Sequence, residues 1–190
     1  MTKIHMVDLQ GQYLHIKSEI DSAIESVLLS TAFIQGPAVG EFAKALSVKN
    51  QNVDVVPCAN GTDALQIAMM ALGLKQGDEV ILPVHTYVAT AEVIALLGFT
   101  PVFVDVDPAT FNLDVTKIEE KITSKTKAIV PVHLYGQCAD MEPILSTAKQ
   151  YDLFVIEDVA QALGAEYRFT DGTIKKAGTC LLYTSDAADE

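Results

Sequence analysis

Cysteine is scarce in this chain. Cys58, Cys138 and Cys180 form neither an even set nor a metal-binding spacing, which excludes a disulfide framework and fits a reduced, cytosolic setting. Basic residues are few as well: 13 Lys and Arg stand against 25 Asp and Glu, and the formal net charge of −12 argues against nucleic acid as a partner. That acidity does not forbid anionic ligands, because amides at a helix N-terminus hold phosphate locally. No apolar run reaches membrane-spanning length, and Met1 to Gln10 lacks the apolar core of a signal peptide, so no membrane association is expected. There is no GxGxxG and no Walker lysine, which weakens a dinucleotide or NTPase reading. What remains is a globular α/β composition, with 49% hydrophobic and 20% charged residues and a mean hydropathy of +0.26. At 190 residues it would ordinarily make one domain with a real core.

Five short β-rich runs recur: Val53–Pro57, Glu79–Pro83, Pro101–Val106, Ala128–Val132 and Leu153–Glu157. Helical patterns alternate with them, as repeated βα units require. Ala64, Leu65, Ala68, Met69 and Leu72 follow helical spacing up to Gly73, and Tyr87 to Leu97 is a second helix stopped by Gly98. Asp114 to Ile122 and Asp140 to Tyr151 are the third and fourth. Ahead of them, Leu14, Ile16, Ile20, Ile24, Val27 and Leu28 mark a long amphipathic helix, and Gly36-Pro37 precedes another over Val39–Val48. The rhythm predicts an α/β fold with a mainly parallel sheet and flanking helices. Residues 1–52 are expected to be a helical segment of the same domain as 53–179. Residues 180–190, with Asp186, Asp189 and Glu190, resemble a translated sequencing adapter and are expected to be foreign to the protein.

The run Leu153-Phe-Val-Ile156 reads as a strand buried on both faces, and it ends in Glu157-Asp158. A carboxylate emerging from a buried parallel strand is poorly solvated and needs a cationic partner. Asp158 also has a plainer role open to it, capping the next turn. Gln161, three residues on, can reach the same ligand. After the first predicted strand, Gly61 permits close backbone approach, and Thr62 and Asp63 open a helix whose N-terminal amides suit a phosphate; ordinary capping by Asn60, Thr62 or Asp63 explains the same residues. Tyr87 stands at a loop-to-helix junction, either as a stacking aromatic or as a core tyrosine. His133 is either a ligand contact or a satisfied core histidine. All four segments begin at a strand's carboxyl end, where open α/β sheets bind ligands. A phosphate cradle, a stacking aromatic and an acid describe a flat, phosphorylated, cationic heterocycle, and pyridoxal phosphate meets all three requirements.

The stretches Cys58-Ala-Asn-Gly-Thr-Asp-Ala-Leu-Gln66, Thr86-Tyr-Val-Ala-Thr-Ala-Glu92, Val132-His-Leu-Tyr-Gly-Gln-Cys-Ala-Asp140 and Ile156-Glu-Asp-Val-Ala-Gln161 resemble the DegT/DnrJ/EryC1/StrS sugar aminotransferases, over essentially Lys3 to Thr179. The resemblance implies an incomplete large domain of the aspartate-aminotransferase-like, fold type I architecture, with pyridoxal 5'-phosphate as cofactor. It implies that Gly61 and Thr62 hold the cofactor phosphate, Tyr87 stacks on the ring, Asp158 pairs with the protonated ring nitrogen, Gln161 bonds the phenolic oxygen, and His133 lies nearby. It also implies glutamate as amino donor, a keto-sugar nucleotide as acceptor, a homodimer at full length, and a cytoplasmic role in polysaccharide biosynthesis. The motifs look closest to transaminases of UDP-linked 3-keto N-acetylhexosamine uronates.

One family element is missing. The Schiff-base lysine follows the Asp/Gln motif by roughly 25 residues in a Ser-Phe-x-x-x-Lys segment; Lys175 and Lys176 come too early and no later lysine occurs. The lysine is therefore expected beyond Thr179, and the chain as written is expected to be inactive. Two alternatives stay open: a sugar dehydratase of the same family, with histidine at that position, and a non-catalytic cofactor-binding or regulatory homologue.

Overall fold

The computed structural model describes residues 7–180 and the strand at 183–185. The chain divides into two compact units, Met1–Ala45 and Leu46–Glu190. In the first, α1 (Leu9–Ser30) starts at Asp8, whose carboxylate accepts the Gly11 amide at 2.9 Å. It ends at Thr31, where a left-handed backbone lets the Thr31 amide reach the Leu28 carbonyl. This is the long helix expected from the Leu14–Leu28 pattern, but none of its residues is buried. A second helix, α2 (Pro37–Lys49), carries proline at its first position, where the missing N–H costs nothing.

The second unit is built on a parallel sheet. Its strands are β1 (Glu79–Pro83), β2 (Thr100–Val104), β3 (Thr126–Ile129) and β4 (Phe154–Asp158), joined by crossovers that carry α4 (Val88–Leu96) and α5 (Met141–Tyr151); α3 (Gly61–Ala71) precedes β1. A hairpin follows, β5 (Glu166–Arg168) with β6 (Ile174–Lys176), and then β7 (Tyr183–Ser185). The sheet order is β2-β1-β3-β4-β7, every pairing parallel. The order reverses between β1 and β3, so the loops leaving these two strands diverge and open a crevice at their carboxyl ends.

Strand alternation divides the core between two faces. Val80, Leu82, Val130 and Ile156 pack with Leu65, Met69, Val93 and Ile94 of α3 and α4. Ile81, Ile129 and Val155 pack on the other face with Met141, Ile144 and Ala148 of α5. Continuing the alternation, Asp158 belongs to the α3/α4 face and Glu157 to the α5 face. The expected stops at Gly73 and Gly98 are present, with φ of 67° and 78°, a backbone that glycine adopts without strain.

Several expectations need correction. Val53–Pro57 forms no strand. A strand needs a ladder partner, and none of the described residues pairs with this run; Val56 is largely exposed. Asp114 to Ile122 is not an α-helix but two 3-10 turns, Val115–Lys117 and Glu119–Lys121. Its β-branched Val115, Thr116 and Ile118 disfavour α-helix, and the Asp114 side chain caps the first turn through the Thr116 amide. The predicted strands at Pro101–Val106 and Ala128–Val132 end earlier than expected; Val106 and Val132 make only isolated bridges, to Leu113 and Asp158. Phe154, read as buried, is 43% exposed, whereas Val155 to Asp158 are buried. Of segment 180–190, the described residues are Cys180, which is buried, and β7, which pairs with β4.

Candidate functional site

The crevice at the sheet's carboxyl ends is an open cleft of about 540 Å³. It is lined by the α3 N-terminus (Gly61, Thr62), the loop after β1 (Thr86, Tyr87), α4 (Thr90), the segment after β3 (Val132, Leu134) and the end of β4 (Asp158, Ala160, Gln161). Five of the six residues picked out in the sequence therefore meet at one place. Among the described residues no lysine lines it, and Lys176 donates its ammonium to the Lys49 carbonyl.

Asp158 is the buried charge of this cleft. Its Oδ2 accepts the Thr90 hydroxyl at 2.9 Å and its Oδ1 accepts the Ala160 amide at 3.2 Å. The second bond is the turn cap foreseen as the plainer role; with one bond to each oxygen, the carboxylate keeps lone-pair capacity for a further partner. Burial pushes the carboxyl above the ordinary carboxylate range; the Ala160 amide, the Thr90 hydroxyl and nearby His133 partly oppose this. Among the described residues no Lys or Arg forms an ion pair with it. A buried acid whose charged form lacks a cationic partner is suited to receiving one with a ligand.

At the α3 N-terminus, Asn60 caps the helix: its Oδ1 accepts the Asp63 amide at 2.9 Å. The capping role is thus filled by Asn60. The Gly61 and Thr62 amides, in the first turn, have no carbonyl one turn back to bond and are directed out of the helix end. Tyr87 precedes α4 with extended backbone and no capping bond, its ring 65% exposed beside the cleft, so it is not a core tyrosine. The Gln161 Oε1 accepts the Tyr135 amide at 2.8 Å, which fixes the amide group and leaves its NH₂ to donate.

His133 is the exception. It is fully buried, does not line the cleft, and has both ring nitrogens engaged by protein. Nδ1 accepts the Ala139 amide at 3.0 Å, so the proton is on Nε2, which donates to Glu157 Oε2 at 3.0 Å. The satisfied core histidine is the correct reading, and a direct cofactor contact is not.

The sequence reading passed over two threonines. Thr90, buried in α4, holds Asp158; Thr86 presents to the cleft a buried Oγ1 with no partner among the described residues. Both lie within the quoted Thr86–Glu92 stretch, but a threonine inside a helix gives no signal of a bond to a residue 68 positions away. Cys138 and Cys180 offer no nucleophile here: burial pushes the Cys138 thiol up and the Cys180 thiol up to about 12.

A parallel sheet with its cleft at the switch point, lined by a helix N-terminus and a buried acid, defines a large domain of the aspartate-aminotransferase-like class. The chain belongs to the DegT/DnrJ/EryC1/StrS aminotransferase family, whose model matches residues 14–183. It is 52% identical over 165 residues to the UDP-2-acetamido-2-deoxy-3-oxo-D-glucuronate aminotransferase of Pseudomonas aeruginosa, a match covering 87% of this chain and 46% of that protein. In structure it is similar to S. venezuelae DesV in complex with a ketimine intermediate (TM-score 0.88, 37% identity, 94% of this chain and 47% of that one). It is also similar to Bacillus subtilis NtdA with bound cofactor PMP (TM-score 0.75, 43% identity, 77% and 34% covered). The chain thus spans about half the length of the curated relatives it matches. No helix among the described residues is long and apolar enough to cross a membrane.

Proposed function

We propose that the complete protein containing this chain is a pyridoxal-phosphate-dependent aminotransferase that moves an amino group from glutamate to a keto-sugar nucleotide. The observation that carries this reading is Asp158, a buried carboxylate facing an open cleft without a cationic partner among the described residues. The donor set fits the cofactor part by part. Outward amides at Gly61 and Thr62 suit a phosphate, the unpartnered Thr86 hydroxyl offers a further donor, the exposed Tyr87 ring suits stacking, and the Gln161 NH₂ suits an anionic oxygen.

When bound, pyridoxal phosphate supplies an electron sink for bond breaking at the carbon that bears the transferred amine. Asp158 holds a proton on the ring nitrogen by charge pairing, and Thr90 keeps one of its oxygens in place. Gly61 and Thr62 anchor the phosphate by backbone donors and the helix dipole. Gln161, oriented by the Tyr135 amide, donates to the phenolic oxygen. Among the described residues no lysine lines the cleft, and the proposed complete protein includes an amine-holding lysine outside them. A homodimer is supported by the uncovered apolar residues of α1, among them Leu14, Ile24 and Leu28. The UDP-linked 3-keto hexosamine uronate is the preferred acceptor, by similarity to the Pseudomonas relative.

The test is amine transfer from glutamate to the cofactor in the complete protein, followed by the cofactor's absorbance, then release of amino-sugar nucleotide. A complete protein that binds the cofactor but takes no amine from glutamate would defeat the reading. Histidine at the lysine position with loss of a sugar hydroxyl would assign the dehydratase instead.

A further inference from the structure

Three aromatic rings stand together next to the cleft without lining it. His85 follows β1, Phe111 lies in the loop after β2, and Tyr135 follows β3, so three separate crossovers deliver them to the same end of the sheet. Ring centroids are 6.0 Å apart for His85–Phe111, 6.3 Å for His85–Tyr135 and 6.2 Å for Phe111–Tyr135, in tilted and edge-on arrangements. The His85 Nε2 and the Tyr135 hydroxyl lie 3.3 Å apart. All three residues are exposed, Phe111 by 48% and Tyr135 by 68%.

The backbone holds these rings out at a cost. Phe111 (φ 62°) and Tyr135 (φ 58°) both occupy the left-handed region, which bulky residues avoid. Asn112, buried between the two loops, maintains the arrangement. Its Oδ1 accepts the Leu134 amide at 3.1 Å, and its Nδ2 donates to the Gln137 and Cys138 carbonyls, each at 3.1 Å. Strained residues of this kind, held by a buried clamp, concentrate at ligand sites. The cluster adjoins the cleft through the bond from the Tyr135 amide to Gln161, and His85 is two residues from Tyr87.

We infer that His85, Phe111 and Tyr135 form a platform that receives a ring of the amino-group acceptor. The inference rests on the aminotransferase reading for the identity of that acceptor. The cofactor ring is served by Tyr87 and Asp158 in the cleft, and glutamate has no ring to stack. Two rings of a nucleotide sugar suit such a surface: the nucleobase, with a π-face, and the pyranose, with an apolar face and hydroxyls. Either matches aromatic faces edged by an imidazole nitrogen and a phenol oxygen.

The experiment uses the complete, cofactor-loaded protein and two unreactive probes, UDP and UDP-N-acetylglucosamine, with binding measured by calorimetry. The variants are Phe111→Asn and Tyr135→Asn, which remove a ring while keeping a residue that tolerates the left-handed backbone, and Tyr135→Phe, which keeps the ring. Ring removal should weaken binding about tenfold or more, with Tyr135→Phe retaining most of the affinity. Weakening for both probes assigns the nucleobase to the platform; weakening for UDP-N-acetylglucosamine alone assigns the pyranose. Wild-type protein that binds neither probe, ring-deleted variants that bind as wild type does, or variants whose only change is in oligomeric state would each overturn the inference. Ring-dependent binding in a protein that takes no amine from glutamate would uphold the platform and defeat the aminotransferase reading.

Discussion

Glu157 and Asp158 are consecutive acids on one strand, and both are buried, yet their surroundings differ completely. Glu157 points to the α5 face, where His133 Nε2 at 3.0 Å, the Gly178 amide at 3.1 Å and the Cys180 amide at 2.9 Å donate to it. Asp158 points to the α3/α4 face, where one hydroxyl and one amide meet it at the edge of an open cleft. Strand alternation sends two consecutive acids to opposite faces. The first ties the loop after β3 to the segment after β6; the second, on the proposed reading, is held ready for a ligand cation, and no Lys or Arg among the described residues pairs with it.

The comparison breaks most visibly if the two acids are exchanged for neutral groups. In the complete enzyme, Asp158→Ala should lower the rate about 10³-fold, since a unit pair near 4 Å at an effective dielectric of 20 is worth about 4 kcal/mol; steady-state turnover checks this. Glu157→Ala should instead destabilise the fold by about 3 kcal/mol, because a buried N–H and two amides lose their acceptor. Urea denaturation measures it, and a drop in activity without a drop in stability would erase the distinction.

A smaller effect sharpens the contrast through pH. The folded-state carboxyl of Asp158 is raised, so in the cofactor-free protein its contribution favours folding below the ordinary carboxylate range and is lost as pH rises through the raised value. Asp158→Asn should therefore stabilise the cofactor-free protein at pH 7 by about 1 kcal/mol, and the gain should vanish in acid. Denaturation midpoints for wild type and variant at the two pH values give the answer. Thr90→Val, which removes one hydrogen bond to the carboxylate, should weaken cofactor retention about tenfold or less. Asn60→Ala should cost about 1 kcal/mol of stability through the lost cap while leaving Asp158 untouched.

Much of this was legible in the chain. β1 falls where its apolar run and Pro83 put it, and α3, α4 and α5 follow their periodicity, because local spacing and breakers determine them. The convergence of Tyr87, Asp158 and Gln161 followed from one rule about strand ends, whereas Gly61 and Thr62 reach the cleft from a helix N-terminus that follows no strand among the described residues. What escaped depended on partners far along the chain. Val53–Pro57 has strand composition but no neighbour to pair with among the described residues, and Asp114–Ile122 has helical spacing but β-branched residues and a competing cap. The placement of His133 on the Glu157 side required knowing which face its ring takes, and Thr90 became visible only when α4 was laid against β4. The aromatic platform has no signature at all, since its residues come from three different loops.

The central claim is that Asp158 exists to pair with the ring nitrogen of the cofactor. It is tested most directly by pyridoxal phosphate binding to the complete protein with Asp158→Asn, which keeps the shape of the side chain and removes its charge. The account predicts affinity at least tenfold weaker and an altered absorbance of the bound cofactor, with stability undiminished. Wild-type affinity and an unchanged spectrum would contradict it.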